Sequence, residues 1–112
     1  MAEELSLLLQ SEWVEKFKLQ TYKDYELAGV LQHLPFLETT TLAELEQAFY
    51  QSVVKLEMSH ALKNLLYRID LTELQIKQAA LKNPEKPLQW VLAELMIKRI
   101  LQKVVLKDMY SK

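Results

Sequence analysis

Residues 88–109 read LQWVLAELMIKRILQKVVLKDM, and this stretch decides the fold. Trp90, Ala93, Ile97, Ile100, Leu101 and Val104 recur at helical spacing and define one apolar face. A second apolar face opens at its start, made by Leu88, Val91, Leu92 and Leu95. A helix that is apolar nearly all round is normally buried. Two readings follow: the helix is the central strut of a bundle, or it lends one face to the core and the other to a partner. Immediately before it, Asn83-Pro84-Glu85-Lys86-Pro87 marks a firm boundary, because a proline inside a helix removes a hydrogen bond and clashes with the preceding turn.

Working back from that boundary, Asp70 and Glu73 match a capping pattern, so a short helix is expected from Leu71 to about Lys82. Leu42, Leu45, Phe49, Val53 and Leu56 form an earlier stripe, opened by a capping box at Thr41 and Glu44. Past Glu57 the stripe changes phase to Met58, Leu62, Leu65 and Ile69, about half a turn around a straight helix. This phase change favours a break near Ser59 over one long helix. Residues 35–41 form the clearest loop of the N-terminal half. Ahead of it, Leu5, Leu9, Trp13 and Phe17, widened by Leu7 and Val14, predict a helix over 3–19. Thr21, three residues before Asp24, predicts an N-cap for a second helix over 22–33, with Leu27, Val30, Leu31 and Leu34 on its apolar side and Pro35 ending it.

The expectation is thus an all-α fold, a compact bundle of five to six helices forming one domain over residues 1–112. A single glycine, Gly29, and three prolines supply few of the positive-φ positions that hairpins and phosphate-cradling loops require. With no cysteine, disulfides, thiolate nucleophiles and Cys-based metal sites are excluded. The acidic start Met1-Ala2-Glu3-Glu4 and the short run Leu7-Leu8-Leu9 do not resemble a signal peptide, and no stretch approaches the ~20 apolar residues of a membrane span. The expected compartment is the cytoplasm.

Candidate chemistry is sparse. Glu57 and His60 are spaced as in the Glu-x-x-His element of di-iron bundles, but His33 has Val30 three residues before it, so the second copy is missing and no metal site is expected. No serine lies in a G-x-S-x-G elbow, and both glycine-rich nucleotide fingerprints are absent. The acidic pairs Glu3/Glu4 and Glu44/Glu46 read as solvated helix-face charges. Neither an enzyme nor a cofactor is expected, and no small-molecule substrate is evident.

Charge is unevenly spread. Residues 1–56 hold four Lys/Arg against nine Asp/Glu, and residues 57–112 hold ten against six. The halves can attract each other within the fold or across a dimer, or the basic half can meet an acidic partner. The leading expectation is a protein-interaction or assembly module, a homo-oligomer associating through its last helix. Its contact residues are Trp90, Val91, Leu95, Ile97, Ile100 and Val104, with Tyr67 and Tyr110 as further candidates. The alternative is a nucleic-acid-binding adaptor using Lys98, Arg99, Lys103 and Lys107, preceded by Lys77, Lys82 and Lys86. Against it stand intervening glutamates and a pI of about 6.1. Membrane-surface binding is not expected, because the last helix lacks a strongly polar opposite face.

Overall fold

A computed structural model describes residues 11–39 and 41–110. The expected first turns with Leu5, Leu7 and Leu9, and the Glu3/Glu4 pair, lie outside these. Among the described residues there are five α-helices, one short 3-10 turn and no strand. They run as α1 (Ser11–Leu27), the 3-10 turn (Leu31–His33), α2 (Leu42–Met58), α3 (Leu62–Ile69), α4 (Glu73–Lys82) and α5 (Leu88–Tyr110). No described helix is long and apolar enough to cross a membrane.

α5 is the strut. It packs against α1, α2, α3 and α4, whereas α4 packs principally against α5 alone. Met96, Ile97, Ile100 and Leu101 are buried on one side of α5, among Phe17 of α1, Phe49, Val53 and Leu56 of α2, and Leu65 and Ile69 of α3, and Val104 is buried one turn further on. Each large aliphatic side chain removed from water there contributes about 1.5–3 kcal/mol. Phe17 and Phe49 meet with ring centroids 6.0 Å apart. Trp90 leans on Tyr50 at 5.4 Å and ties the start of α5 to α2.

The first helix departs from expectation. Thr21 caps nothing; it lies inside α1, where its hydroxyl donates to the Phe17 carbonyl at 2.9 Å and so is satisfied without leaving the helix. Phe17, Gln20, Thr21, Asp24 and Tyr25 form the buried face at i, i+3, i+4, i+7 and i+8. Three of those five are polar, which hides the helical period from a reading based on apolar residues. The helix then ends at Leu27 rather than near Pro35. Gly29 adopts φ +74°, Val30 N–H donates to the Tyr25 carbonyl at 2.9 Å, and Gly29 N–H donates to Glu26 at 3.0 Å. This is the Schellman closure, with Val30 buried as its apolar partner.

The same closure recurs twice without glycine. His60 (φ 60°) ends α2 with Ala61 N–H on the Leu56 carbonyl, so the chain does break beside Ser59. Asp70 (φ 69°) ends α3 with Leu71 N–H on the Leu66 carbonyl. Holding a side chain in this left-handed region costs about 1–2 kcal/mol per residue. Asp70 is therefore the close of one helix, not the cap of the next. The cap of α4 is Thr72, in a reciprocal box with Gln75. At α2 the expected cap is present in its forward half, with Glu44 N–H donating to Thr41 Oγ1 at 3.2 Å.

Candidate interaction surface

Leu95, Arg99, Gln102, Leu106 and Met109/Tyr110 follow one another at i, i+4, i+7, i+11 and i+14/i+15, a single row along α5 opposite its core face. α4 lies over the first part of this row. A pocket between the two helices is lined by Gln75, Gln78, Ala79 and Lys82 of α4 and by Leu95, Lys98, Arg99 and Gln102 of α5. Beyond Gln102 no described element packs over the row: Leu106, Met109 and Tyr110 are exposed, Tyr110 at 86%. The second apolar face of α5 is thus real, but the chain's own α4 covers its first half.

This geometry sorts the expected contact residues. Val91, Ile97, Ile100 and Val104 are buried within the chain, so a partner reaches them only if the bundle opens. Trp90 and Leu95 are half-buried, against Tyr50 and at the α4–α5 pocket respectively. Tyr67 and Tyr110 are the two most exposed large apolar side chains of the described residues. Leu19, Leu106 and Met109, which periodicity did not single out, are exposed with them. The sequence signal of Leu106 and Met109 is the continuation of the row on α5 past the reach of a ten-residue α4.

Tyr67 stands beside an open groove of about 900 Å³ between α3 and α4. Leu62, Leu66, Leu71 and Ile76 are half-buried along its floor. Around them stand Glu57, Asp70 and Glu73, three carboxylates against one lysine, Lys63. At the other end of α5 a shallower depression gathers Lys16, Lys23 and Lys107 with one carboxylate, Asp108, beside Leu19 and Val104. Lys16 is paired with Asp108 at 2.7 Å. One apolar surface is therefore rimmed by acid and the other by base.

The four cations of the nucleic-acid reading do not form one surface. Lys103 donates to both carboxylate oxygens of Asp24, and Lys107 donates to Gln20 Oε1 at 2.7 Å, so both are turned onto α1. Arg99 approaches Asp70 at 3.7 Å, and Lys98 and Arg99 line the α4–α5 pocket. His60 occupies the left-handed turn after α2, and no group of three or more acidic or histidine side chains among the described residues is arranged to hold a metal.

Deeper in, Ser52 Oγ donates to the His33 carbonyl at 2.6 Å. Its single proton is spent there, so Tyr25 is the donor in the 2.6 Å contact between Tyr25 Oη and Ser52 Oγ. Burial pushes the Tyr25 hydroxyl far above the ordinary tyrosine range, and the Ser52 contact offsets only part of this. The chain from α1 through α2 to the 3-10 turn is fully hydrogen-bonded and buried, and is a structural element. No family model matches this chain, and no curated protein or solved structure was found to be similar to it.

Proposed function

We propose that this protein is a non-enzymatic assembly module that associates with further copies of itself, head to tail. The exposed end of α5 in one copy, Leu106, Met109 and Tyr110, docks in the α3–α4 groove of the next. The observation that carries this reading is complementarity. An open apolar groove and an exposed apolar helix end lie on the same chain, and the end presents anchors at i, i+3 and i+4, the spacing with which a helix fills a groove. The partner helix is still the last one, as periodicity suggests, but the contact lies at its C-terminal end and not along Val91 to Val104.

Such a contact uses two different patches, so it is heterologous and generates a ring or an open chain rather than a two-fold dimer. A handful of anchors puts it at the weak, transient end of interfaces. Nothing in the arrangement favours the rival reading as a nucleic-acid adaptor, since Arg99, Lys103 and Lys107 already have partners within the chain.

Sedimentation equilibrium from about 10 µM to about 1 mM spans the affinities expected of a weak contact. The average mass should climb above 13.2 kDa with concentration. Tyr67→Asp and Met109→Asp, both at exposed positions, should each abolish the climb without unfolding the bundle. A wild-type chain that stays monomeric throughout contradicts the proposal.

A further inference from the structure

The pocket between α4 and α5 differs from the other surfaces in its chemistry. It encloses about 400 Å³, within the range of small-ligand sites. Lys82, Lys98 and Arg99 line it and no carboxylate does, in a chain whose acidic and basic residues nearly balance. Gln75, Gln78, Asn83 and Gln102 complete the polar lining, with Leu71, Ala79 and Leu95 between them. Neither Lys82 nor Lys98 has an ion-pair partner among the described residues.

Arg99 supplies a second, independent observation. Its Nε is buried without a hydrogen bond, the only buried side-chain polar atom of the described residues left so. Its one ion pair is the long approach to Asp70, a largely exposed carboxylate outside the pocket. An unsatisfied buried donor calls for an explanation. A small turn of the side chain towards the pocket presents the guanidinium fork to an oxyanion, the group that fork fits best.

We propose that this pocket binds a small polyanion of the polyphosphate class, held between Lys82 on α4 and Lys98 and Arg99 on α5. Three cations on two helices exceed what a single carboxylate can neutralise, and the amide side chains add donors around the remaining oxygens. Binding also has a structural consequence. α4 contains no buried residue, so little fully buried apolar surface fastens it to α5. A ligand bridging Lys82 to Lys98 and Arg99 fastens α4 in place.

Pyrophosphate is the probe, titrated calorimetrically at low salt, with amide hydrogen exchange followed on α4. One saturable site and slowed exchange in α4 are expected. Lys82→Gln with Lys98→Gln should weaken binding by about tenfold or more, as loss of two charge-assisted contacts implies. Lys77→Gln, on α4 but outside the pocket lining, should leave affinity unchanged. No heat and no protection at about 10 mM pyrophosphate, the millimolar limit of specific weak binding, overturns the proposal. So does equal weakening by Lys77→Gln, which signals diffuse charge attraction. An oligonucleotide binding more tightly than pyrophosphate overturns it as well.

Discussion

Lys103 of α5 donates to both carboxylate oxygens of Asp24 on α1, at 3.0 and 2.9 Å, and the Asp24 side chain is only 2% exposed. Gln20 extends the contact, donating to Asp24 Oδ1 at 3.0 Å and accepting from Lys107 at 2.7 Å. Two charges and an amide are thus sealed between the first described helix and the last. The pair joins the acidic half of the chain to the basic half, and among the described residues it is the one strongly buried place where the uneven charge distribution is resolved within the fold. It also fixes the rotation of α1 on α5, since only one face of α1 offers Gln20 and Asp24 together.

A buried pair is costly to break and cheap to replace. Lys103→Met should destabilise the protein by about 3 kcal/mol, because it leaves the buried Asp24 carboxylate with the Gln20 amide but no counter-charge. Adding Asp24→Leu should recover most of that loss. Urea unfolding of the two single variants and the double variant checks this. A Lys103→Met loss near the 0–1 kcal/mol typical of exposed pairs contradicts the burial argument.

The Tyr25–Ser52–His33 relay predicts an asymmetry. Tyr25→Phe removes a donor but leaves Ser52 still bonded to the His33 carbonyl, at a cost of about 1 kcal/mol. Ser52→Ala strands the Tyr25 hydroxyl and the His33 carbonyl together, and should cost about 2 kcal/mol or more. Thermal unfolding of both variants decides the order. Equal losses would mean that the proton assignment along the relay is wrong.

Glu46 carries a pH signature. Partial burial raises its carboxyl pKa, and the nearby Glu94 adds to this while Lys86 opposes it. A carboxyl whose folded pKa is raised contributes stability below its unfolded pKa and loses it as pH rises through the folded value. Glu46→Gln should therefore stabilise the protein at neutral pH, and the gain should vanish as pH falls below the usual carboxylate range. Melting temperatures of wild type and variant across pH 3–8, the window spanning the reference value near 4.3, test the sign. A gain that persists at pH 3 contradicts it.

What could be read from the sequence follows from where apolar periodicity carries the information. Leu45, Phe49, Val53 and Leu56 are buried as their spacing predicts, the phase change after Glu57 marks a true break, and the proline boundary places α5. Periodicity failed on α1 because Gln20, Thr21 and Asp24 are buried by hydrogen bonds and an ion pair, not by hydrophobicity. It misplaced the cap of α4 because Asp at position 70 is as acceptable in a left-handed closure as at an N-cap, and only the backbone distinguishes them. The proposed contact surface is hidden from the sequence for a different reason. Two apolar faces on one helix do not say which length of each is covered by a neighbour, and that depends on where α4 ends.

The most direct test of head-to-tail association mixes two damaged chains. Tyr67→Asp spoils the groove and leaves the α5 end intact; Met109→Asp does the reverse. Each variant alone should sediment as a monomer at every concentration. Mixed in equal amounts, they retain one good groove and one good stripe between them, and should form a one-to-one dimer that grows no further. Monomers in the mixture, with a wild type that still assembles, would contradict the head-to-tail contact and point to a symmetric interface elsewhere on the molecule.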